Sequence, residues 1–203
     1  MNNILILFAH PRFEKSKTNR ALLKDIEKLT SVTLHDLYEE YPDFNIDIEH
    51  EKQLLLAHDI IVWHHPLYLY GAPAILKQWM DLVLEHGWAH GKNGNNLKDK
   101  IIFNTLTAGG TKEAYTEKGL NRFSIREFLL PFAQTAALCN MVYLPPFVVH
   151  GTYLLSTEDL SDYAHLYHTL LETLVKEKYD VKHIRRFEYL NNWLLKKTEK
   201  QNP

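Results

Sequence analysis

Residues 62–73 read VWHHPLYLYGAP. The apolar run from Ile60 to Trp63 is typical of a strand that is buried on both faces, and it ends in a proline, aromatic residues and a glycine. A helical pattern follows, and Pro73 fits its first turn because a proline there loses no helical hydrogen bond. The stretch predicts a parallel strand that carries a loop to the carboxyl edge of an open α/β sheet, where such sheets bind ligands. Aromatic rings and spare backbone amides at that edge favour a flat heteroaromatic ligand.

The same alternation of strand and helix patterns continues along the chain. Strands are predicted at residues 3–10, 32–37, 59–64, 101–106 and 141–149, and helices at 18–29, 48–57, 73–85, 123–138 and 160–175. Pro131 should kink the fourth helix or mark its real start, and Pro145-Pro146 should make the middle of the last strand irregular. The pattern predicts an α/β fold with a doubly wound, five-stranded parallel sheet of order 2-1-3-4-5. We expect one domain over residues 1–203, with a charged, helical tail from about residue 176.

The composition excludes several classes of protein. The 203 residues carry 23 Lys and Arg against 25 Asp and Glu, whereas a nucleic-acid binder shows a strongly basic face. The single cysteine, Cys139, cannot form an intrachain disulfide, which favours a reducing cytosol. No apolar run is long enough to span a bilayer, and the chain begins directly with a strand pattern. We therefore expect a soluble, cytoplasmic protein that reaches a membrane only through a partner.

Three loops are predicted to meet at the carboxyl edge of the sheet, at residues 10–19, 65–73 and 107–115. The first contains neither the G-x-G-x-x-G pattern of dinucleotide binding nor the G-x-x-x-x-G-K-[ST] pattern of nucleotide triphosphatases. It does contain Ser16-Lys17-Thr18-Asn19 at a helix start, where hydroxyls, an amide and free N–H groups form an anion site. Ordinary helix capping is the alternative. The position after the first strand favours the anion site.

The third loop begins with Thr107-Ala108-Gly109-Gly110, whose backbone amides are not covered by large side chains. We expect these amides to touch the edge of a bound ring, although the same residues also suit a plain turn. Tyr115 follows a few residues later and would present its phenol to the same ring.

Other kinds of catalytic site find little support in the sequence. His64 and His65 point to opposite faces of a strand, and Gly87 interrupts the helix that would align His86 with His90. No metal site is therefore predicted from the twelve histidines. Cys139 has no C-x-x-C partner, and no G-x-S-x-G motif marks a serine hydrolase.

Together these motifs resemble the flavodoxin-like NAD(P)H:quinone oxidoreductases, from about residue 3 to residue 174. The similarity rests on His10-Pro11, Ser16-x-Thr18-Asn19, His65-Pro66-Leu67-Tyr68, Leu76-Lys77-x-Trp79-x-Asp81, Gly87-Trp88-Ala89 and Thr107-Ala108-Gly109-Gly110. Within that family the chain is most similar to the small ancillary subunits of glutathione-gated potassium-efflux systems. The residues that carry this closer similarity are Asp36-Leu37-Tyr38, Tyr41-Pro42-Asp43-Phe44-Asn45-Ile46-Asp47, Leu144-Pro145-Pro146-Phe147 and His150.

The resemblance implies a bound flavin, FMN or alternatively FAD, with NADPH or NADH as the hydride donor and a quinone-like acceptor. It implies these cofactor-binding residues: His10, Ser16, Lys17, Thr18, Asn19, Pro66, Leu67, Tyr68, Leu69, Tyr70, Thr107, Ala108, Gly109 and Gly110. The first five would hold the phosphate and the ribityl chain, and residues 67–70 and 107–110 would frame the isoalloxazine. The catalytic residues would be Tyr115 and Arg122. Arg122 is expected to act by charge, because the histidine that follows this tyrosine in the characterised branch is absent here.

The expected function is a two-electron transfer, as hydride, from NAD(P)H to the acceptor. The alternative is a flavin-binding regulatory subunit of a potassium efflux antiporter, peripheral to the inner membrane. A one-electron shuttle is disfavoured because shuttles tend to be markedly acidic. A homodimer is also expected, because one small site would not use all of Trp63, Tyr68, Tyr70, Trp79 and Trp88. The alternative is that several of these rings belong to the core.

Overall fold

The computed structural model describes residues 1–199, with strands and helices in alternation. The strands are β1 Ile4–Phe8, β2 Val32–Asp36, β3 Ile60–Pro66, β4 Ile101–Thr107, β5 Val142–Tyr143 and β6 Phe147–Val149. The helices are α1 Lys17–Leu23, α2 Leu37–Glu40, α3 Ile48–Ala57, α4 Ala74–Val83, α5 Ile125–Phe128, α6 Leu130–Leu138, α7 Thr157–Lys176, α8 Val181–Ile184 and α9 Leu190–Glu199. Short 3₁₀ turns lie at Phe13–Lys15, Ile26–Lys28 and Lys112–Ala114.

The sheet is parallel and has the predicted strand order. Its path is β2-β1-β3-β4-β5, with β6 also paired to β4. The predicted count of five strands is wrong by one over residues 1–199, because the last strand is divided. β5 pairs with the start of β4 and β6 with its end, and Pro145-Pro146 lies between them. Neither proline can donate a hydrogen bond to the ladder, so the strand breaks there.

Alternate residues of the central strands face two hydrophobic layers. On one face, Ile61 and Trp63 of β3 lie in a cluster with residues of α3, α4 and α6. On the other face, Ile60 and Val62 lie in a cluster with residues of α1, α7 and α9. Trp63 and Trp79 are only 0% and 1% exposed. These two rings therefore belong to the core, as the alternative to the predicted interface held, and they do not contribute to an interface.

Prolines and capping side chains set most helix boundaries. Pro73 was predicted in the first turn of α4 but is its N-cap residue, one position before the helix begins at Ala74. The helix predicted at residues 123–138 divides at Leu129 into α5 and α6. Pro131 lies in the first turn of α6, so it marks the start of that helix, which is one of the two outcomes predicted for it. The four-residue α2 was not predicted. It begins where the side chain of Asp36 accepts a hydrogen bond from the backbone N–H of Tyr38 at 3.0 Å.

The tail after α7 returns to the edge of the sheet. The Asn191 side chain accepts a hydrogen bond from the N–H of Val148 at 2.9 Å and donates one to its C=O at 3.1 Å. Helix α9 thus pairs with the open edge of β6 in place of another strand. The last part of the predicted tail, residues 200–203, lies outside the described residues. Within residues 1–199, no helix has the length and apolar character needed to cross a membrane.

Candidate active site

A cavity of about 730 Å³ opens at the carboxyl edge of the sheet, where the three predicted loops come together. The predicted binding residues that line it are His10, Ser16, Lys17, Thr18, Asn19, Pro66, Leu67, Tyr68, Leu69, Tyr70, Thr107, Gly109 and Gly110. Tyr115 lines it as well, whereas Ala108 and Arg122 do not. Its size falls within the range of about 300–1,000 Å³ that is usual for small-molecule sites.

The first loop ends in the capped start of α1. The Ser16 hydroxyl accepts hydrogen bonds from the backbone N–H of Asn19 at 3.2 Å and from its side-chain amide at 2.9 Å. Ser16 is therefore the N-cap, as the capping alternative proposed. Ser16 satisfies the backbone N–H of Asn19, but the N–H groups of Lys17 and Thr18 in the first turn still have no partner inside the helix. Capping and anion binding are thus compatible at this helix start.

The Asn19 side chain joins the first loop to the two central strands. Its amide donates to the Thr107 hydroxyl at 3.2 Å, and its carbonyl oxygen accepts from His64 Nε2 at 3.0 Å. The Tyr167 hydroxyl donates to the other ring nitrogen of His64 at 3.3 Å. Burial lowers the pKa of His64 to about 3, so this ring is neutral and its tautomer is set by the two bonds.

His10 holds the second loop close to the first. Its Nδ1 accepts a hydrogen bond from the backbone N–H of Arg12 at 3.1 Å, so the proton of the neutral ring is on Nε2. Nε2 then donates to the Tyr68 hydroxyl oxygen at 3.3 Å. Burial lowers the pKa of His10 and keeps the ring neutral near pH 7. His10 could therefore offer its single N–H to a bound anion only in place of the Tyr68 hydroxyl, and it would do so without carrying a full charge.

The second loop is a tight turn with a strained backbone. Tyr68 and Gly71 exchange backbone hydrogen bonds of 3.1 and 3.0 Å, and between them Leu69 and Tyr70 have φ values of 44° and 68°. Such turns prefer Asn-Gly, and the left-handed conformation costs other residues roughly 1–2 kcal/mol each. The Tyr70 ring stacks on Phe128 at 4.8 Å. Backbone strain of this kind is frequent at ligand sites.

The glycines of the third loop make room for two tyrosines. A Cβ atom at Gly109 would lie 2.7 Å from the Tyr153 ring, and one at Gly110 would lie 3.0 Å from the Tyr115 ring. Ala108 is buried instead, and its N–H donates to the Val149 carbonyl at 2.9 Å. Gly109 and Gly110 thus line the cavity, while Ala108 continues the pairing of the sheet.

The two predicted catalytic residues lie in different surroundings. Tyr115 is 8% exposed, and burial raises the pKa of its phenol. Arg122 is exposed in a left-handed conformation with φ 62°, and its neighbour Asn121 lines the cavity. A charge effect of Arg122 would therefore have to act across solvent.

Nine further lining residues were not predicted as binding residues: Arg12, Lys15, Ala114, Leu120, Asn121, Thr152, Tyr153, Leu155 and Leu160. Several of them follow β6, whose carboxyl end lies at the same edge, so the position of the fifth predicted strand could have indicated them. Three cations, Arg12, Lys15 and Lys17, line the cavity, and within residues 1–199 no Asp or Glu does. The same part of the chain holds no cluster of three His, Cys, Asp or Glu side chains that could bind a metal ion.

The arrangement therefore has two chemically different parts. Arg12, Lys15, Lys17 and the start of α1 suit an anionic group. The tyrosine rings and the backbone of Gly109 and Gly110 suit a flat ring system. A molecule that joins a phosphate to a flat heteroaromatic ring, as a flavin mononucleotide does, fits both parts of the cavity.

Comparison with known proteins gives consistent similarities. A family model described as "Flavodoxin-like fold" matches residues 2–172. The chain is 44% identical over 169 residues to the glutathione-regulated potassium-efflux system ancillary protein KefG of Erwinia tasmaniensis, covering 83% of this chain and 92% of that protein. General stress protein 14 of Treponema denticola, solved in complex with FMN, is 35% identical with a TM-score of 0.81, over 85% of this chain and 99% of that chain. An NADPH-quinone reductase from P. pentosaceus is 32% identical with a TM-score of 0.75, over 82% and 96%.

Proposed function

The chain belongs to the flavodoxin-like family, and from that premise we propose that it is a flavin-dependent NAD(P)H oxidoreductase acting on a quinone-like acceptor. The observation that carries the proposal is the cavity at the switch point of the sheet, with a cationic end and an aromatic end. Similarity to an FMN complex and to an NADPH-quinone reductase supports the same chemistry. The fold alone would not support this chemistry, because one fold can host many different functions.

FMN suits the electrostatics of the site better than FAD. His10 also lines a second cavity of about 660 Å³, so a dinucleotide that extended past His10 would enter that cavity. It is lined by Glu14, Asp36 and Glu39 against Arg20. Carboxylates repel a second phosphate, whereas the main cavity attracts the first one.

Each part of the cavity then has a role. When bound, the flavin supplies the redox chemistry by accepting the hydride of NADPH or NADH and passing it on. His10 and the N–H groups of Lys17 and Thr18 bind the phosphate. The backbone N–H groups of Gly109 and Gly110 and the phenol of Tyr115 offset the negative charge that arrives with the hydride. Because donor and acceptor would use the same site in turn, we expect ping-pong kinetics.

The proposal includes a homodimer in which the partner subunit completes the site. Three residues of the cavity lining are large, exposed apolar side chains, Leu69 by 95%, Leu120 by 88% and Tyr153 by 88%, and Leu154, which follows Tyr153 in the chain, is exposed by 75%. We call these four residues the apolar rim; exposed apolar patches usually mark an interface, and twofold dimers are the commonest closed assembly. The protein would act in the cytoplasm.

A regulatory role is the second candidate, and the 44% identity to a potassium-efflux ancillary protein favours it. In that role the protein would bind a potassium efflux antiporter at the inner membrane, and its flavin would sense the redox state. The two roles are compatible, because one flavin site can serve both.

The test is an anaerobic titration of the flavin-loaded protein. NADPH or NADH should bleach the visible flavin band, and a benzoquinone should then restore it within the time of a turnover. A flavin band that neither nucleotide bleaches would contradict the oxidoreductase proposal. Potassium efflux from vesicles that contain the antiporter, measured with and without this protein, would then test the regulatory role directly.

A further inference from the structure

A third cavity, of about 320 Å³, lies at the β5 end of the sheet. It is lined mainly by residues of α5, α6 and β5, by Pro145-Pro146 and by Arg185, the residue that ends α8. None of its lining residues lines the main cavity. Its volume is at the lower end of the range of about 300–1,000 Å³ for small-molecule sites, so it suits a ligand smaller than a flavin.

Most of the wall of this third cavity is apolar. Leu129, Met141 and Leu144 are buried there, and Leu130 is 62% exposed, so the wall extends from the core to solvent. A wall of this kind stabilises a ligand whose aliphatic or aromatic body leaves water on binding.

Two arginines add positive charge to the apolar wall. Arg126 Nη1 reaches the carbonyl oxygen of Phe187 at 3.5 Å, which brings it to the short segment that contains Arg185. Neither arginine forms a salt bridge within residues 1–199. Glu127 also lines the cavity, but its Oε2 accepts hydrogen bonds from the N–H and the hydroxyl of Ser124, both at 2.7 Å. Two guanidinium groups without a carboxylate partner suit the carboxylate of a ligand.

A buried row of hydrogen bonds begins in the wall of this cavity. Tyr143 lines the cavity, and its hydroxyl donates to Asn104 Oδ1 at 2.5 Å. The side-chain N–H of Asn104 donates to His65 Nε2 at 3.0 Å, and His65 Nδ1 donates to the Pro66 carbonyl at 3.0 Å. Burial lowers the pKa of His65 to about 4, so the ring is neutral and its single proton is on Nδ1. Every donor in the row therefore points from the third cavity toward Pro66.

The row ends at the loop that would frame the flavin ring. Pro66 lines the main cavity, and its carbonyl also accepts the backbone N–H of Tyr68 at 3.1 Å. Tyr68 begins the turn in which Leu69 and Tyr70 have positive φ values. One carbonyl thus joins the buried row to the strained turn, and an unbroken series of hydrogen bonds connects the two cavities.

We propose that the third cavity is an effector site, which binds a small amphipathic monocarboxylate and stabilises the bound flavin through this row. The carboxylate binds to Arg126 and Arg185, and the apolar body packs on the wall that includes the Tyr143 ring. Packing on that ring restrains its hydroxyl, and with it the Pro66 carbonyl and the second loop. The inference rests on the proposed function, because it requires a flavin beside that loop.

The first test measures the binding of octanoate to the flavin-loaded protein by calorimetry. Loaded protein is used because the flavin then occupies the main cavity and its cations. We expect one octanoate per chain, and at least tenfold weaker binding of octan-1-ol, which has the same chain length without the carboxylate. Arg126→Gln and Arg185→Gln should each weaken octanoate binding at least tenfold, because hydrogen bonds between two charged groups are strong. Arg186→Gln is the control: Arg186 is exposed, follows Arg185 and does not line the cavity, so the affinity should change less than twofold.

The second test measures the rate at which FMN leaves the loaded protein after dilution, from the fluorescence of free flavin. Saturating octanoate should slow this release at least fivefold in wild type, because coupling between two sites usually changes an affinity by about 5–150-fold. Tyr143→Phe keeps the ring in the wall and removes the hydroxyl that begins the row. It should bind octanoate within about threefold of wild type, but octanoate should no longer slow FMN release from it.

A third variant separates the effector role from a merely structural role of the wall. Ala133 is a half-buried lining residue, and Ala133→Leu fills part of the cavity without altering the row. It should bind octanoate at least tenfold more weakly and, without octanoate, release FMN at the wild-type rate.

The outcomes distinguish this inference from the function on which it rests. If octanoate does not bind, binds no more tightly than octan-1-ol, or keeps its affinity in Arg126→Gln and Arg185→Gln, the site is wrongly assigned. Octanoate that binds but does not slow FMN release, or slows it equally in Tyr143→Phe, overturns the effector role. The oxidoreductase proposal stands in all these cases, since NADPH bleaches the flavin band without octanoate. A protein that takes up no flavin would contradict the proposed function and this inference together.

Discussion

Asn19 shows how much of this site depends on single side chains. Its amide bonds to Ser16 in the first loop, to Thr107 in the third and to His64 in the central strand. The sequence indicated Asn19 because it stands at a helix start after the first strand. Its partners on the strands could not be predicted, since they depend on how three distant segments meet.

Tyr115 is the residue at which charge stabilisation is most directly tested. Removal of a preorganised donor to a developing oxyanion costs about 2.7–4 kcal/mol, and the loss should be smaller here because a flavin's charge is delocalised. We expect Tyr115→Phe to slow bleaching by NADPH by roughly tenfold while FMN affinity changes little. Arg122→Gln serves as the comparison, and because Arg122 is exposed and does not line the cavity, we expect less than a twofold effect. Equal rates for wild type and Tyr115→Phe would contradict the role of the phenol.

Glu51 is a buried carboxylate of α3 that does not line the cavity. It is 0% exposed and accepts hydrogen bonds from His35 at 2.6 Å, Tyr41 at 2.5 Å and Trp79 at 2.6 Å. Burial alone raises the pKa of Glu51, but these hydrogen bonds outweigh it and hold the pKa below its ordinary value of 4.5. The ionised form is therefore favoured by folding.

This shift gives the free energy of unfolding a definite pH dependence. The unfolded chain binds the proton of Glu51 at a higher pH than the folded one, so stability rises with pH in that range. The contribution of Glu51 is fully present above its unfolded pKa and is lost as the pH falls through the lower folded value. Denaturant unfolding between about pH 3 and 6 should show a shallower decline in Glu51→Gln than in wild type. The exposed Glu172→Gln is the control, and an unchanged slope in Glu51→Gln would refute this assignment.

At the scale of elements, the edge of the sheet explains why the tail folds back. β6 has a free edge, and the Asn191 side chain satisfies both backbone groups of Val148 there. Leu190 adds a hydrogen bond from its N–H to the Pro146 carbonyl at 2.9 Å. Because β6 leads directly to Thr152, Tyr153 and Leu155, which line the cavity, this edge also supports the site.

Asn191→Ala tests the contribution of that edge contact. It leaves a buried N–H and a buried C=O unpaired, and each costs about 1–3 kcal/mol. We expect the free energy of unfolding to fall by about 2–6 kcal/mol, with a parallel loss of FMN affinity. The neighbouring Asn192 is exposed, so Asn192→Ala should change the unfolding free energy by less than about 0.5 kcal/mol. Equal stability for the two variants would show that the side chain does not pair the edge.

The elements themselves were more predictable than their ends. The apolar runs of β1, β3 and β4 and the periodic helices α3 and α7 follow directly from local patterns. Residues 141–149 form two strands, and the sequence predicted only part of this. Pro145-Pro146 predicted an irregular middle, but the sequence did not show that both halves would pair with β4. The short α2 has too few residues for a periodic pattern and depends on one cap from Asp36.

At the scale of the whole molecule, the apolar rim of the cavity predicts self-association. Leu154 is 75% exposed on the rim without lining the cavity, so Leu154→Glu should disrupt a dimer and leave FMN binding to one chain intact. Light scattering should give twice the chain mass of 23.8 kDa for wild type and the single mass for Leu154→Glu. Leu56→Glu is the control, because Leu56 is 42% exposed near the end of α3, before β3 begins. A wild-type monomer at the concentration used for activity would refute the dimer.

The proposed interface could be only partly predicted from the sequence. Aromatic content pointed to an exposed surface, but Trp63 and Trp79 are core residues, and the exposed rim consists mainly of leucines and Tyr153. A sequence pattern does not distinguish a ring that faces the core from one that faces solvent when the strand is buried on both faces. The position of the cavity, by contrast, was predictable, because the ends of parallel strands meet at one edge and the three predicted loops line it.

The central claim is that a flavin mononucleotide occupies the cavity at the carboxyl edge of the sheet. The most direct measurement is the identity and amount of the cofactor released by heat from the purified protein, by mass spectrometry and absorbance. We expect FMN at one molecule per chain after reconstitution. In Asn19→Leu, where the bonds to Ser16, Thr107 and His64 are lost, FMN content should fall by at least tenfold. A colourless protein that takes up neither FMN nor FAD would contradict the account.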